Sequence, residues 1–334
     1  MNLQTALSLH QSGRRAEAAA AYEAVLAREP QNAQALHGFG VLRHQAGDSA
    51  AGAALIERAI AVQAGAPEFH FNLGLAKFRL GDFRAAADAF TRAARLKPDW
   101  PLPHYDLGNA LAAAGEAEAA VRAYRAALKL RPDYNQAEVN MANVLKGAGK
   151  RAQAIAAYRR VLRRAPDLAE VHNNLGAALL DDGDRAGAEA SFRAAITLRP
   201  DFAEGLGNLA ALLIKDERFA EAVPLAAAAR AASPDRAGFC EMHGDALRGA
   251  KQYNAAIEAY RAALALNPEH HSARFGIADT LRLKRDLAGA EAMLRALATE
   301  FSGLWQAHHD LANVLRHQGR FAEAADAYRR AVDL

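Results

Sequence analysis

Cysteine is almost missing from the 334 residues: Cys240 stands alone. A single thiol closes no internal disulfide and supplies no cysteine-rich zinc cluster, so packing has to hold the chain together and a reducing compartment is the natural expectation. Cys240 itself falls at a packing position and reads as a small hydrophobe. Net charge is also scarce, +3 from 41 basic and 38 acidic residues, which leaves no broad field for nucleic acid or an anionic membrane. Long apolar runs are absent. Alanine-rich stretches are interrupted by Arg, Glu or Gly every few residues and fall short of the roughly 20 apolar residues of a membrane span. Met1 leads into Asn2, Leu3 and Gln4, without the basic stretch and apolar run of a leader. Together these absences point to a soluble, cytoplasmic protein.

Catalytic chemistry is equally hard to find. The 12 histidines include no His-Glu-x-x-His pattern. His270-His271 falls at a loop, His308-His309 points two ways around a helix, and both pairs read as surface or packing groups. Acids such as Glu17, Asp88, Glu118 and Glu258 are mixed with arginines on a solvated face, so no carboxylate pair is set apart for acid and base roles. No phosphate loop or dinucleotide fingerprint appears. The expectation is a chain with no catalytic residue, no metal and no cofactor of its own, any catalytic domain lying outside it.

What the sequence does contain is a period. Pro98, Pro132, Pro166, Pro200, Pro234 and Pro268 follow one another at steps of 34. Small residues keep the same step, from Ala6, Gly40, Gly74 and Gly108 to Ala312, and a second register is almost all alanine, from Ala18 through Ala86, Ala120 and Ala154 to Ala324. Small side chains at a fixed phase mark close helix crossings. Four residues past each alanine stands a mostly large group, as in Tyr22, Phe90, Tyr124, Tyr158, Phe192, Tyr260 and Tyr328, suited to filling the gap between units. Between the two small registers a glycine at 13, 47, 81, 115, 149, 183 and 319 ends one helix. Asp48, Asp82, Glu116 or Asp184 can begin the next.

The units run 1–32 (short of two positions), 33–66, 67–100, 101–134, 135–168, 169–202, 203–236, 237–270, 271–304 and 305–334. Each is helix A, tight turn, helix B and short loop, all of one solenoid. Irregularities suggest joints near 64–67, 216–240 and 299–304, the second because Pro224 falls inside a helix B and should kink it. The last unit stops before its proline and lacks a polar cap, which suggests a larger parent chain or an end covered by a partner.

The pattern resembles the tetratricopeptide repeat family over essentially the whole chain, best in His172-Asn173-Asn174-Leu175-Gly176 followed by Ala188, Phe192, Ala195 and Pro200. The resemblance implies an all-α fold, an α-solenoid of about ten helical hairpins wound as a right-handed superhelix. It also implies an inner wall of A helices that receives peptides or helices of partner proteins.

On that wall the sixth position of helix A carries Asn72, Asp106, Asn140, Asn174 and Asn208, and the ninth carries Asn109, Asn143 and Asn313. Asparagine inside a helix costs stability because its amide competes for backbone bonds. An amide that both donates and accepts suits the backbone of an extended peptide, with Phe71 and Tyr105 as apolar anchors. The alternative is that the same amides bond the adjacent A helix and stitch the array. The column is similar to the asparagine ladder of the protein O-GlcNAc transferases, which implies a substrate-recruiting arm of a glycosyltransferase. A carboxylate clamp for chaperone tails is disfavoured, because Glu170 and Glu204 stand where its lysine would be. The expected partner is a protein or extended peptide, with no nucleic acid and no membrane span. Self-association through the concave face or the last unit is the other reading.

Overall fold

The computed structural model describes residues 2–334, so the Met1 of the first expected unit lies outside the described residues. Twenty α-helices follow one another, all of 9 to 14 residues. The chain divides into two compact units, Met1–Pro166 and Asp167–Leu334. The first holds five hairpins: α1 (Leu3–Gln11) with α2 (Arg15–Arg28), α3 (Ala33–Gln45) with α4 (Ser49–Val62), α5 (Pro67–Arg79) with α6 (Phe83–Leu96), α7 (Pro101–Ala113) with α8 (Ala117–Leu130), and α9 (Asn135–Gly147) with α10 (Arg151–Arg164). The second holds five more: α11 (Ala169–Asp182) with α12 (Arg185–Leu198), α13 (Ala203–Lys215) with α14 (Phe219–Ala232), α15 (Ala237–Gly249) with α16 (Tyr253–Leu266), α17 (His271–Leu283) with α18 (Leu287–Glu300), and α19 (Trp305–His317) with α20 (Phe321–Asp333). The architecture is the expected all-α stack of helical hairpins. In each unit the first helix of a hairpin touches its own partner, the preceding second helix and, at most steps, the next first helix. The A helices therefore form the more closely packed wall.

Small residues permit this approach. Ala18, Ala86, Ala120, Ala154, Ala188 and Ala222 are all 0% exposed. On the B helices, four residues past this register, Tyr22, Phe90, Tyr124, Tyr158, Phe192 and Tyr260 are the largest fully buried side chains. Each contributes on the order of 2–3 kcal/mol of apolar burial. These rings pack across their own hairpin and against the next one: a Cβ on Gly74 would sit 2.6 Å from the Phe90 ring and one on Gly108 2.5 Å from Tyr124, while in the following units one on Gly38 would sit 2.6 Å from Tyr22 and one on Gly276 2.5 Å from Tyr260. Glycine at these positions is a steric requirement of the ring.

Helix A ends in the left-handed turn that the glycines announced, with positive φ at Gly13, Gly47, Gly81, Gly115, Gly149, Gly183 and Gly319. Glu217, Lys251 and Arg285 hold the same geometry without being glycine, at φ of 56°, 61° and 70°. Asp48, Asp82 and Asp184 cap helix B by accepting the amide three residues on, at 3.1, 3.2 and 2.8 Å. Glu116 does not cap; its longer side chain turns instead toward Arg84, 3.5 Å away. Pro224 sits inside α14 without ending it, and the helix continues to Ala232.

Two of the loops between hairpins are tied down by the fourth residue of the following helix A. The ring of His70 meets the carbonyl of Ala64 at 2.9 Å, and Arg274 donates to the carbonyl of Pro268 at 2.8 Å, each reaching back six residues. At the same position Glu138, only 3% exposed, accepts from Arg160 at 2.5 Å and from Arg164.

Candidate binding face on the A helices

Side chains at the fifth, sixth, ninth and twelfth positions of each A helix share one side of it, and their hydrogen bonds follow a rule that the column of asparagines alone does not reveal. The ninth position serves the hairpin itself. Asn109 accepts from Tyr124 Oη at 2.7 Å, Asn143 from Tyr158 at 2.5 Å, Asp245 from Tyr260 at 2.7 Å and Asn313 from Tyr328 at 2.7 Å, each pair 15 residues apart. Where the ring has no hydroxyl, the ninth position is apolar: Leu75 faces the register of Phe90, and Ala177 that of Phe192. A buried phenol needs an acceptor, and these groups supply it. Burial pushes the pKa of Tyr124, Tyr158 and Tyr260 upward, so all three remain donors.

The sixth position joins successive A helices. Asn72 Nδ2 lies 2.8 Å from His37 Nε2; Asn140 Nδ2 donates to Tyr105 Oη at 3.1 Å and to Asn109 Oδ1 at 2.9 Å; Asn208 Nδ2 donates to Asn173 Oδ1 at 2.8 Å. Asn174 sits half-buried at the same register of α11 and is itself engaged. The Oδ1 atoms of Asn72, Asn140 and Asn208 accept no hydrogen bond among the described residues. The amides of Asn72, Asn140 and Asn208 therefore spend donors on the preceding helix.

Asp106 departs from the rule for a visible reason. The corresponding positions of the preceding A helix hold Phe71 and Leu75, which offer nothing for an amide to bond. Asp106 instead accepts from Asn109 on its own helix at 3.2 Å, and burial pushes its carboxyl pKa up to about 6. Phe71 is packed within the array, its ring centroid 5.6 Å from Phe90 and 4.7 Å from Trp100. Tyr105 keeps its hydroxyl on the face while its ring stacks 4.9 Å from Tyr134, over which Arg131 lies at 3.3 Å.

That the column bonds to His37 and Asn173 was not readable from sequence. His37 is held neutral by burial, its pKa lowered to about 4, and stacks on Phe69 at 4.3 Å. Its signal was the residue just before the sixth position of the preceding unit. On α15, α17 and α19 the face changes from amides to ions. Arg248 meets Asp245 at 3.3 Å and also Asp279, and Arg282 donates through Nε to Asp279 at 3.1 Å. Burial opposes the charge on Arg248, but Tyr260, Asp245 and Asp279 outweigh it, and the net shift is upward.

Among the described residues no helix is long and apolar enough to cross a membrane, and no three His, Cys, Asp or Glu side chains cluster as metal ligands.

Family models described as tetratricopeptide repeat match residues 3–67, 37–101, 139–201, 174–237 and 241–304, and a second model of that description matches 101–134 and 305–334. No curated protein matches the sequence. Among solved structures, YrrB, described as a TPR protein with an unusual peptide-binding site, is 20% identical, with a TM-score of 0.50 over 56% of this chain and 97% of its own. The C-terminal part of a TPR repeat-containing protein from Cytophaga hutchinsonii is 17% identical, with a TM-score of 0.59 over 72% of this chain and 98% of its own. A chain of the APC/C hetero-tetramer Cut9-Hcn1 is 17% identical, with a TM-score of 0.52 over 83% of this chain and 55% of its own. At such identities the likeness is one of fold.

Proposed function

The chain belongs to the tetratricopeptide repeat family, and on that premise we propose that it is a protein-interaction scaffold whose A-helix face receives an extended peptide segment of a partner. The observation that carries this reading is the divided use of the column amides. Nδ2 of Asn72, Asn140 and Asn208 is fixed to the preceding A helix, while each Oδ1 keeps its capacity to accept. A carbonyl anchored through its own amide is already oriented, so a guest backbone N–H gains a bond with little side-chain entropy to lose. A guest thus meets a column of acceptors, not the donor–acceptor pairs that composition alone suggests.

The test is to replace Asn140, Asn174 and Asn208 together by alanine. Peptides first selected on the wild-type chain from a displayed random 12-residue library serve as probes. Affinity is expected to fall tenfold or more. Stability should fall by about 1 kcal/mol per site or less, since a lost hydrogen bond of about 1 kcal/mol is partly offset by alanine's helix propensity. Unchanged affinity would sink the reading, and a collapse of the fold would assign the asparagines to stitching alone. The likeness of the column to the O-GlcNAc transferases adds a finer reading, a substrate-recruiting arm, which a glycosyltransferase domain in the same polypeptide would support.

Phe321 and Val332, 69% and 85% exposed on α20, favour a second reading, self-association through that helix. A mass by light scattering that stays monomeric at high concentration would remove it.

A further inference from the structure

Along α15, α17 and α19 the A-helix face carries a chain of ion pairs that stops one member short. Arg248 joins Asp245 of its own helix to Asp279 of the next, and Arg282 pairs with Asp279 on its own helix. The same spacing would put the next acid at position 313, where Asn313 stands. Arg316, the following arginine, is exposed and makes no ion pair among the described residues. Arg248 and Arg282 therefore take up Asp245 and Asp279, and Arg316 is left without an acid of this series. Asp310, also on the rim, lies 3.1 Å from His309.

Beside the gap a recess of about 750 Å³ opens where Gly276 takes the sixth position. The glycine is forced there, since a Cβ would sit 2.5 Å from the Tyr260 ring. Phe275, Leu294, Leu304 and Val314 supply an apolar floor. Two further atoms of the lining, His271 Nδ1 and Gln306 Oε1, are buried with no hydrogen-bond partner. A buried acceptor without a protein partner, beside a recess of this size, can accept a hydrogen bond from a guest donor.

We infer that this recess takes a partner segment bearing a carboxylate beside a large apolar side chain. The carboxylate plays toward Arg282 and Arg316 the part of the missing acid, the apolar group covers Phe275 and Leu304, and a backbone N–H meets Gln306 Oε1. The inference rests on the A-helix face being a peptide-binding surface and adds to it a place and a chemistry.

Asn313→Asp tests it with little risk to the fold, because Asp245 already accepts from Tyr260 at 2.7 Å as Asn313 does from Tyr328. The variant completes the chain internally and removes the vacancy for a guest carboxylate. Peptides selected on the wild-type full-length chain from the displayed 12-residue library should pair Asp, Glu or a free C-terminus with a large apolar residue. Their affinity by fluorescence anisotropy should fall at least tenfold on Asn313→Asp and on Arg316→Glu, and only two- to threefold on Arg316→Lys. Selected peptides lacking that pair, or binding the Asn313→Asp chain as tightly as wild type, overturn the inference. Peptides that are lost only on replacing Asn140, Asn174 and Asn208 overturn it while the general reading stands. A library from which nothing is enriched defeats both.

Discussion

Replacing Asp106 by asparagine should stabilise the protein at neutral pH and leave it almost unchanged in acid. Asp106 occupies the register of Asn72 and Asn140 but has no cation beside it; its hydrogen bond comes from Asn109 Nδ2 at 3.2 Å. Burial raises its pKa from 3.8 to about 6, opposed in part by that bond. A carboxyl whose folded pKa lies above its unfolded one favours the native state when protonated. That stability is present in full below about pH 4 and is lost as pH rises through about 6. Two pKa steps of about 1.4 kcal/mol each give about 3 kcal/mol as an upper figure, less for whatever solvent reaches the group. The asparagine variant carries no charge to desolvate. It should therefore exceed wild type by about 2 kcal/mol near pH 7.5, with a difference under about 0.5 kcal/mol near pH 4. Urea unfolding of the whole chain across that range is the assay, with hydrogen exchange on α7 and α9, because repeat arrays need not unfold all at once. A direct NMR titration of the Asp106 carboxyl checks the cause. A stability difference that ignores pH, or a carboxyl that titrates near its ordinary value, would refute the reasoning.

The turn residues give an additive test. Changing Glu217, Lys251 and Arg285 to glycine relieves a left-handed backbone at each and should raise stability by about 0.5–1 kcal/mol per site, measured by thermal or urea unfolding; a loss at all three would mean that their side chains stabilise more than their backbones cost. The tyrosine pairs give a coupling test. Asn109→Leu strands the Tyr124 hydroxyl and also frees Asn140 and Asp106, whereas Tyr124→Phe leaves Asn109 its bonds to those two; the part of the Asn109 loss that vanishes in the Tyr124→Phe background, read from a double-mutant cycle, should be about 1 kcal/mol, and strict additivity would dissolve the pair.

The hairpins were readable because each register of the 34-residue period answers to one contact. Alanine at 86 or 120 lets two helices cross, glycine at 74 or 108 clears a ring, and glycine at 81 or 115 turns the chain. The turns at Glu217, Lys251 and Arg285 were harder to read, since the neighbouring hairpins impose a backbone that the local residue does not prefer. On the A-helix face the polar positions were visible but their partners were not. Asn109, Asn143 and Asn313 share a helical face with the column, yet each accepts from a tyrosine 15 residues on, a link that appears only when the ninth position is compared with the ring of helix B. The bonds of His37 and Asn173 to the column were not legible because a helical wheel gives the direction of a side chain and not the atom it meets.

This division of labour decides what needs a guest. A helix-interior asparagine costs roughly half a kcal/mol relative to alanine, and one half-buried hydrogen bond offsets that. The amides of Asn72, Asn140 and Asn208 are thus accounted for by the preceding helix without any ligand. Their carbonyls are not, and neither is the gap at Asn313, where the Asp245–Arg248–Asp279–Arg282 chain lacks its next acid. A binding surface reads from the capacity that internal bonding leaves over. Here that capacity differs along the chain, acceptors on the amide-bearing helices and a cation beside an apolar recess on α17 and α19. On the proposed reading, the amide-bearing helices offer acceptors to backbone N–H groups, and α17 and α19 offer a cation to a carboxylate.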